Sequence, residues 1–305
     1  MFGKLKRYLL RPFRRIHWSI GKMNFQVKKN LIDQNLLFCK ESGVTTEKYC
    51  DHEIIVSLTT YGRRLHSVYM TIESIMEQTM KPNRIVLWLD NSFEGKRLPE
   101  SINKLCQRGL EVSFCKDVRS YTKLIPTLCK YPNDAIITVD DDVIYNINML
   151  ENLIVPYLAN PKAIYCNRAH RILFDKSGNI LPYAKWEFES QKTGYGNLFF
   201  PTGVGGVLYP PHSLDEEVMN EAVFLDICKT ADDVWFKAMA LKKGTPVCRV
   251  ETRHVKGCEY MLDDEVQDMG LFNQNVDGES LNDKQIAAVF SKYDLYKLLK
   301  EEDVH

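Results

Sequence analysis

Three consecutive carboxylates, Asp140-Asp141-Asp142, end the apolar run of ITVDDDVIY at residues 137–145. Like charges at this spacing repel and raise one another's pKa, so they persist where a cation or hydrogen-bond donors compensate them. A hard divalent ion such as Mn2+ or Mg2+ supplies that compensation and binds carboxylate and diphosphate oxygens together. Asp140 and Asp142 project to one side of an extended chain, so one can meet a nucleotide while the other takes the metal. The competing reading is a solvated acidic turn. A second acidic pair, Asp232-Asp233, opens TADDVWFKAMALKKG at residues 230–244, where Thr230 to Asp233 also fits a helix capping box. Between the clusters, PTGVGGVLYPP at 201–211 offers Gly205 and Gly206 for close backbone approach to a ligand, or merely to relieve crowding in a bent strand. Lys123, with Arg63 as the alternative, is a cation suited to neutralising a diphosphate, although most lysines are simply solvated.

The elements that position these residues follow from periodicity. Strand EIIVSLTT (53–60) precedes a helix with Val68, Ile72, Ile75, Met76 and Thr79 on one face. RIVLWLD (84–90) follows, then a short helix near 101–108, LEVSF (110–114), a helix near 121–130 and AIITVD (135–140). This βαβαβαβ order predicts an α/β fold with a mostly parallel central sheet, helices on both faces and a ligand at the carboxyl ends of the strands. Further on, a helix is expected over 148–158, a strand over 163–169, a helix over 230–244, a strand over 246–251 and a last helix from Asn282. Three regions result: a basic amphipathic segment (1–50), a catalytic domain (51–265) and a C-terminal loop and helix (266–305).

In order along the chain, Ser57-Leu58-Thr59-Thr60-Tyr61-Gly62-Arg63, QTMKPNRIVLWLD, the aspartate triplet, Thr202-Gly203 with Gly205-Gly206, and Asp232-Asp233 resemble the DXD-containing GT-A glycosyltransferases. The resemblance is strongest to bacterial cell-surface polysaccharide transferases, more distant to exostosin-like and fringe-like enzymes, and spans about residues 53 to 255. It implies a GT-A (nucleotide-diphospho-sugar transferase) fold and a metal at Asp140 and Asp142, with His254 as a third ligand. It also implies a UDP- or GDP-sugar donor near Thr59, Thr60, Tyr61, Arg63, Lys123, Asp140, Asp141, Gly205 and Gly206. In inverting relatives an acidic residue at the position of Asp232-Asp233 deprotonates the acceptor hydroxyl, which points to Asp233 as base, with Asp232 orienting substrate or capping the helix. The acceptor so implied is a saccharide or lipid-linked saccharide, which the Asn273, Asn275, Asn282 and Asp283 region would close over.

Composition narrows the alternatives. The chain is 45% hydrophobic and 26% charged, with 40 basic and 40 acidic residues, so its bulk charge gives no grip on nucleic acid. Residues 1–29 nevertheless carry nine Lys or Arg and no acid, interleaved with aromatics, a mixture suited to an anionic membrane surface or to packing on the main domain. Pro12 is expected to break or kink a helix there. Nine scattered cysteines without a C-x-x-C pair, and the lack of a long apolar run, suggest a cytoplasmic protein, peripheral on the inner membrane face. No G-x-G-x-x-G or Walker motif is present. A haloacid-dehalogenase-like phosphatase also carries D-x-D after a strand, but there it ends the first strand, whereas three strands precede Asp140 here. A non-catalytic saccharide-binding relative would have no need of both carboxylate clusters.

Overall fold

The computed structural model describes residues 11–252, 260–262 and 281–299, with side chains from Ser19 onward. The chain divides into two units, residues 1–40 and 41–305. The first is one helix, α1 (Arg11–Phe38), in which Pro12 lies in the first turn, where a missing N–H costs nothing. The expected break is therefore absent, and the helix continues nine residues past Lys29. Ile20, Met23, Val27 and Leu31 recur at helical spacing and are exposed.

The second unit is built on an eight-stranded sheet in the order β3-β2-β1-β4-β10-β6-β11-β8. Its strands are β1 (Ile54–Thr59), β2 (Arg84–Asp90), β3 (Leu110–Cys115), β4 (Ala135–Thr138), β6 (Ile164–Cys166), β8 (Gly194–Gly196), β10 (Val207–Tyr209) and β11 (Val247–Arg249). The first four pair in parallel, β10 is antiparallel to both neighbours, β11 is parallel to β6, and β8 closes the edge antiparallel. Six strands thus share one direction, the mostly parallel α/β sheet expected. The pairs β7 (Ala169–Arg171) with β9 (Phe199–Pro201), and β5 (Val143–Tyr145) with β12 (Tyr260–Leu262), form separate ribbons. The runs IIV, IVL and AII read as continuously apolar because β1, β2 and β4 are buried on both faces.

Helix α2 (Val68–Met76) is buried nearly all round, polar residues included. Buried Glu73 is neutralised by Arg108, whose guanidinium lies 2.7 Å from both carboxylate oxygens. Thr71 and Ser74 accept from the backbone N–H groups of Val143 and Tyr145, which fixes β5 directly after the aspartate triplet. Helices α3 (Glu100–Cys106), α4 (Ile125–Lys130) and α5 (Met149–Ala159) follow, then α6 (Glu221–Ile227), α7 (Asp232–Lys243) and α8 (Leu281–Lys292). Ile286, Val289 and Phe290 of α8 share the main apolar core with Trp235, Phe236 and Phe224. The last helix is thus part of the second unit's core, and that unit begins at Glu41.

Candidate active site

A cleft of about 1200 Å³ opens at the carboxyl ends of β1 to β4, between the aspartate triplet and the start of α7. Of the anticipated residues, Thr59, Thr60, Tyr61, Lys123, Asp140, Asp141, Asp142, Asp232 and Asp233 line it. Strand β4 stops at Thr138, so the triplet lies in the turn that links it to β5. The Asp140 N–H donates to the Tyr145 hydroxyl (3.0 Å), and the turn closes on α2.

The three aspartates have different surroundings. Asp141 is almost fully enclosed: Thr60 donates to one oxygen (2.6 Å) and Arg64 to the other (2.8 Å). It acts as a strut, and Thr60 is committed with it. Asp142 pairs with the other arm of Arg64 at 3.0 Å, and Asp140 with Lys123 at 2.9 Å. Burial, reinforced by the Asp140 charge and opposed by Arg64, pushes Asp142 up to about 6. Asp141 is also raised, chiefly by burial, with Arg64 and Thr60 pulling it back.

At the other wall, α7 begins at Asp232 with Ala231 as its cap residue and no side-chain capping bond. Thr230 instead exchanges hydrogen bonds with Gln285 of α8, so the capping box does not form. Both aspartates sit in the first turn, where the helix dipole favours negative charge. Asp232 pairs with Lys123 at 3.0 Å, and Asp233 accepts from the Gly203 N–H at 3.2 Å. Burial first and the Asp232 charge second raise Asp233 to about 7, against the opposing pull of Lys123. Burial alone would lower Lys123, but Asp140, Asp232 and Asp233 outweigh it and hold the ammonium charged.

Several expectations change in detail. Arg63 is exposed and outside the cleft lining; Arg64, its neighbour on the 3₁₀ turn Gly62–His66, is the buried cation. Gly205 and Gly206 are also outside the lining. A Cβ on Gly205 would lie 2.6 Å from Arg168 Cβ, and Gly206 has φ +82°, so both serve chain packing. The close approach belongs to Gly203, where a Cβ would lie 2.7 Å from Lys123 Nζ and 3.0 Å from Asp140 Oδ1. The Arg63-Arg64 doublet was the only signal for Arg64. His254, Asn273 and Asn275 fall outside the described residues. Asn282 does reach the cleft, and Asp283 accepts from the Tyr183 N–H (2.7 Å).

His170 and Tyr183 were not anticipated and line the far half of the cleft. His170 accepts from the Glu189 N–H through Nδ1, which leaves Nε2 as its donor. Burial, with Arg168 adding to it, lowers its pKa to about 3, so it stays neutral.

The five carboxylates do not bring three ligand atoms within 4.8 Å of one another; among the described residues only Cys50, Asp51 and His52 do so. Among the described residues there is thus no preformed all-protein cage. Asp140 and Asp142 could hold a divalent cation, because Mg2+-like ions commonly bind through one or two carboxylates plus phosphate and water.

No protein-family model and no curated protein matches the chain. Among solved structures, it is similar to S. aureus TarS 1-349, at 12% identity over 78% of this chain and 70% of that one, with a TM-score of 0.47. It is also similar to the mannosyltransferase PcManGT from Pyrobaculum calidifontis in complex with GDP-Man and Mn2+, at 17% identity over 79% and 67% of the two chains, with a TM-score of 0.40. At scores below 0.5 such likeness carries no chemistry, which has to be read from the cleft's own side chains.

Proposed function

We propose that the cleft transfers a glycosyl group from a nucleoside-diphosphate donor to a hydroxyl of a saccharide or lipid-linked saccharide, with inversion and Asp233 as base. One observation carries this reading: two acidic clusters far apart in sequence face each other across one cleft, and the second contains a carboxylate poised near pH 7. A base is most effective when its pKa lies near the working pH. The Gly203 N–H orients its oxygen, and the cleft leaves room for an acceptor on the side of His170, Tyr183 and Asn282.

Asp140 and Asp142 would hold Mn2+ or Mg2+, which when bound stabilises negative charge on the departing diphosphate. Arg64 and Thr60 keep the triplet in place through Asp141. Tyr61, more than half exposed at the cleft mouth, offers a ring face to the base, and Thr59 lines the wall beside it. Transfer of hexose or N-acetylhexosamine fits equally.

Attachment to an anionic membrane through residues 1–29 belongs to the same proposal and is supported by their nine positive charges and by the exposed apolar row on α1. No described helix is long and apolar enough to cross a membrane. The eight described cysteines are unpaired, which supports a reducing, cytoplasmic setting. Calorimetric titration with UDP and GDP, with and without Mn2+, tests the donor assignment. Metal-dependent binding of one of them is expected, and its absence for both overturns the reading. A covalent phosphoaspartate at Asp140 would instead select the phosphatase.

A further inference from the structure

Lys123 lies 2.9 Å from Asp140 and 3.0 Å from Asp232, with only 8% of its side chain exposed. It ends the 3₁₀ turn Arg119–Lys123, and that turn is locked by Tyr121 two residues earlier. The Tyr121 ring stacks on Phe224 of α6 at 4.1 Å and meets Phe236 of α7 edge-on at 5.6 Å, and its hydroxyl donates to the Cys228 carbonyl. The lysine is therefore anchored to the helix that carries the acidic pair while it reaches across to the end of β4. Gly203 closes the remaining side, where a Cβ would come within 2.7 Å of Nζ. An ammonium enclosed in this way is committed to protein carboxylates.

We propose that Lys123 is a positioning residue that ties the donor-holding carboxylate Asp140 to the base pair Asp232-Asp233, and is not a contact to the donor diphosphate. The proposal rests on the function above only in naming Asp233 as base. Asp232 sits next to that base on the same helix, and Lys123 neutralises its charge. From other elements Asp233 also faces Asp140, Tyr121, Tyr183, Tyr209, Cys166, Cys228 and the Gly203 N–H. The three phenols and two thiols stay neutral because burial raises all five. Lys123 is thus the cation that keeps Asp233 ionisable near neutrality, and a bulky or neutral residue in its place leaves three carboxylates in one enclosed space.

Lys123→Met tests this in the metal-free, substrate-free protein. The ionisation of Asp233 is read directly, as the pH midpoint of its side-chain carboxyl signal in 13C NMR, in the wild-type and Lys123→Met backgrounds, with Asp233→Asn assigning the signal. The midpoint is expected to rise by about one pH unit or more, a tenfold change in proton affinity. In Lys123→Met with Asp232→Asn, which removes one charge of each sign, it should return to near the wild-type value. If Lys123→Met does not fold, Lys123→Gln, which also removes the charge, takes its place. Turnover of Lys123→Met should fall about tenfold or more at pH 7 and recover in part by pH 9, while nucleoside diphosphate with Mn2+ binds no more weakly than to wild type. An unmoved midpoint, or nucleotide affinity lost together with a normal pH profile, would make Lys123 a diphosphate contact and overturn the proposal. Failure of the wild-type protein to bind any nucleotide would sink the functional reading and leave the midpoint test intact.

Discussion

Replacing Asp233 with Asn should make the protein more stable and less active, and the two effects have one physical source. Burial and the neighbouring Asp232 raise Asp233 from an ordinary 3.8 to about 7, so the folded state holds this proton more tightly than the unfolded chain does. Between those two values the folded protein binds an extra proton, and stability falls as pH rises. The cost is complete above the folded value and absent below the unfolded one. Three pKa units correspond to about 4 kcal/mol at about 1.36 kcal/mol each. Because Asp233 keeps some surface on the cleft, where solvent screens its charge, about 2 kcal/mol is the realistic expectation. Asn retains an oxygen for the Gly203 N–H, so the substitution removes charge and little else. Urea unfolding of both proteins from pH 4 to 9, in EDTA and without nucleotide, should give curves that coincide near pH 4 and separate by about 2 kcal/mol above pH 8. Turnover should drop on the order of a hundredfold or more, with donor affinity little changed. If the variant is no more stable than wild type at pH 8, Asp233 is not a strained carboxylate, and the case for it as base loses its foundation.

Other outcomes follow from the same geometry. Wild-type turnover should rise with pH through about 7 as Asp233 loses its proton; a flat profile from pH 5.5 to 8.5 would contradict this. Asp142→Ala, and Asp140→Ala with it, should abolish Mn2+-dependent nucleotide binding seen by calorimetry, and EDTA should stop transfer; wild-type affinity in both variants would remove the metal from Asp140 and Asp142. Arg108→Ala takes the paired guanidinium away from buried Glu73 and should cost about 3 kcal/mol or more in urea unfolding, with no direct effect on nucleotide affinity. A chain starting at Glu41 should lose salt-sensitive sedimentation with anionic vesicles while keeping activity on a small soluble acceptor; equal sedimentation of both chains would end the anchoring idea.

Much of this was legible from residue order, because strands buried on both faces must be apolar throughout. IIVSL, IVLWL and AIIT therefore announce themselves, as does the parallel sheet that places Asp140 to Asp142 at a carboxyl edge. The triplet and the 232–233 pair were also visible, since uncompensated acids after an apolar run call for a cation. Their meeting was implied by the family resemblance and not by spacing: a gap of 90 residues is closed by β10 inserting antiparallel next to β4 and by the packing of α7. Which of two adjacent arginines faces the cleft depends on the phase of the turn Gly62–His66, and no local pattern sets it. The choice of Gly203 over Gly205 and Gly206 likewise follows from a lysine 80 residues earlier that must pass within 2.7 Å of where a Cβ would sit. Thr230 to Asp233 spells a capping box, yet tertiary hydrogen bonds to Gln285 take Thr230 away and leave Asp233 facing the cleft. Local chemistry follows from residue type and spacing; which groups share a low-dielectric pocket, and so which pKa values move, is decided only when distant elements pack.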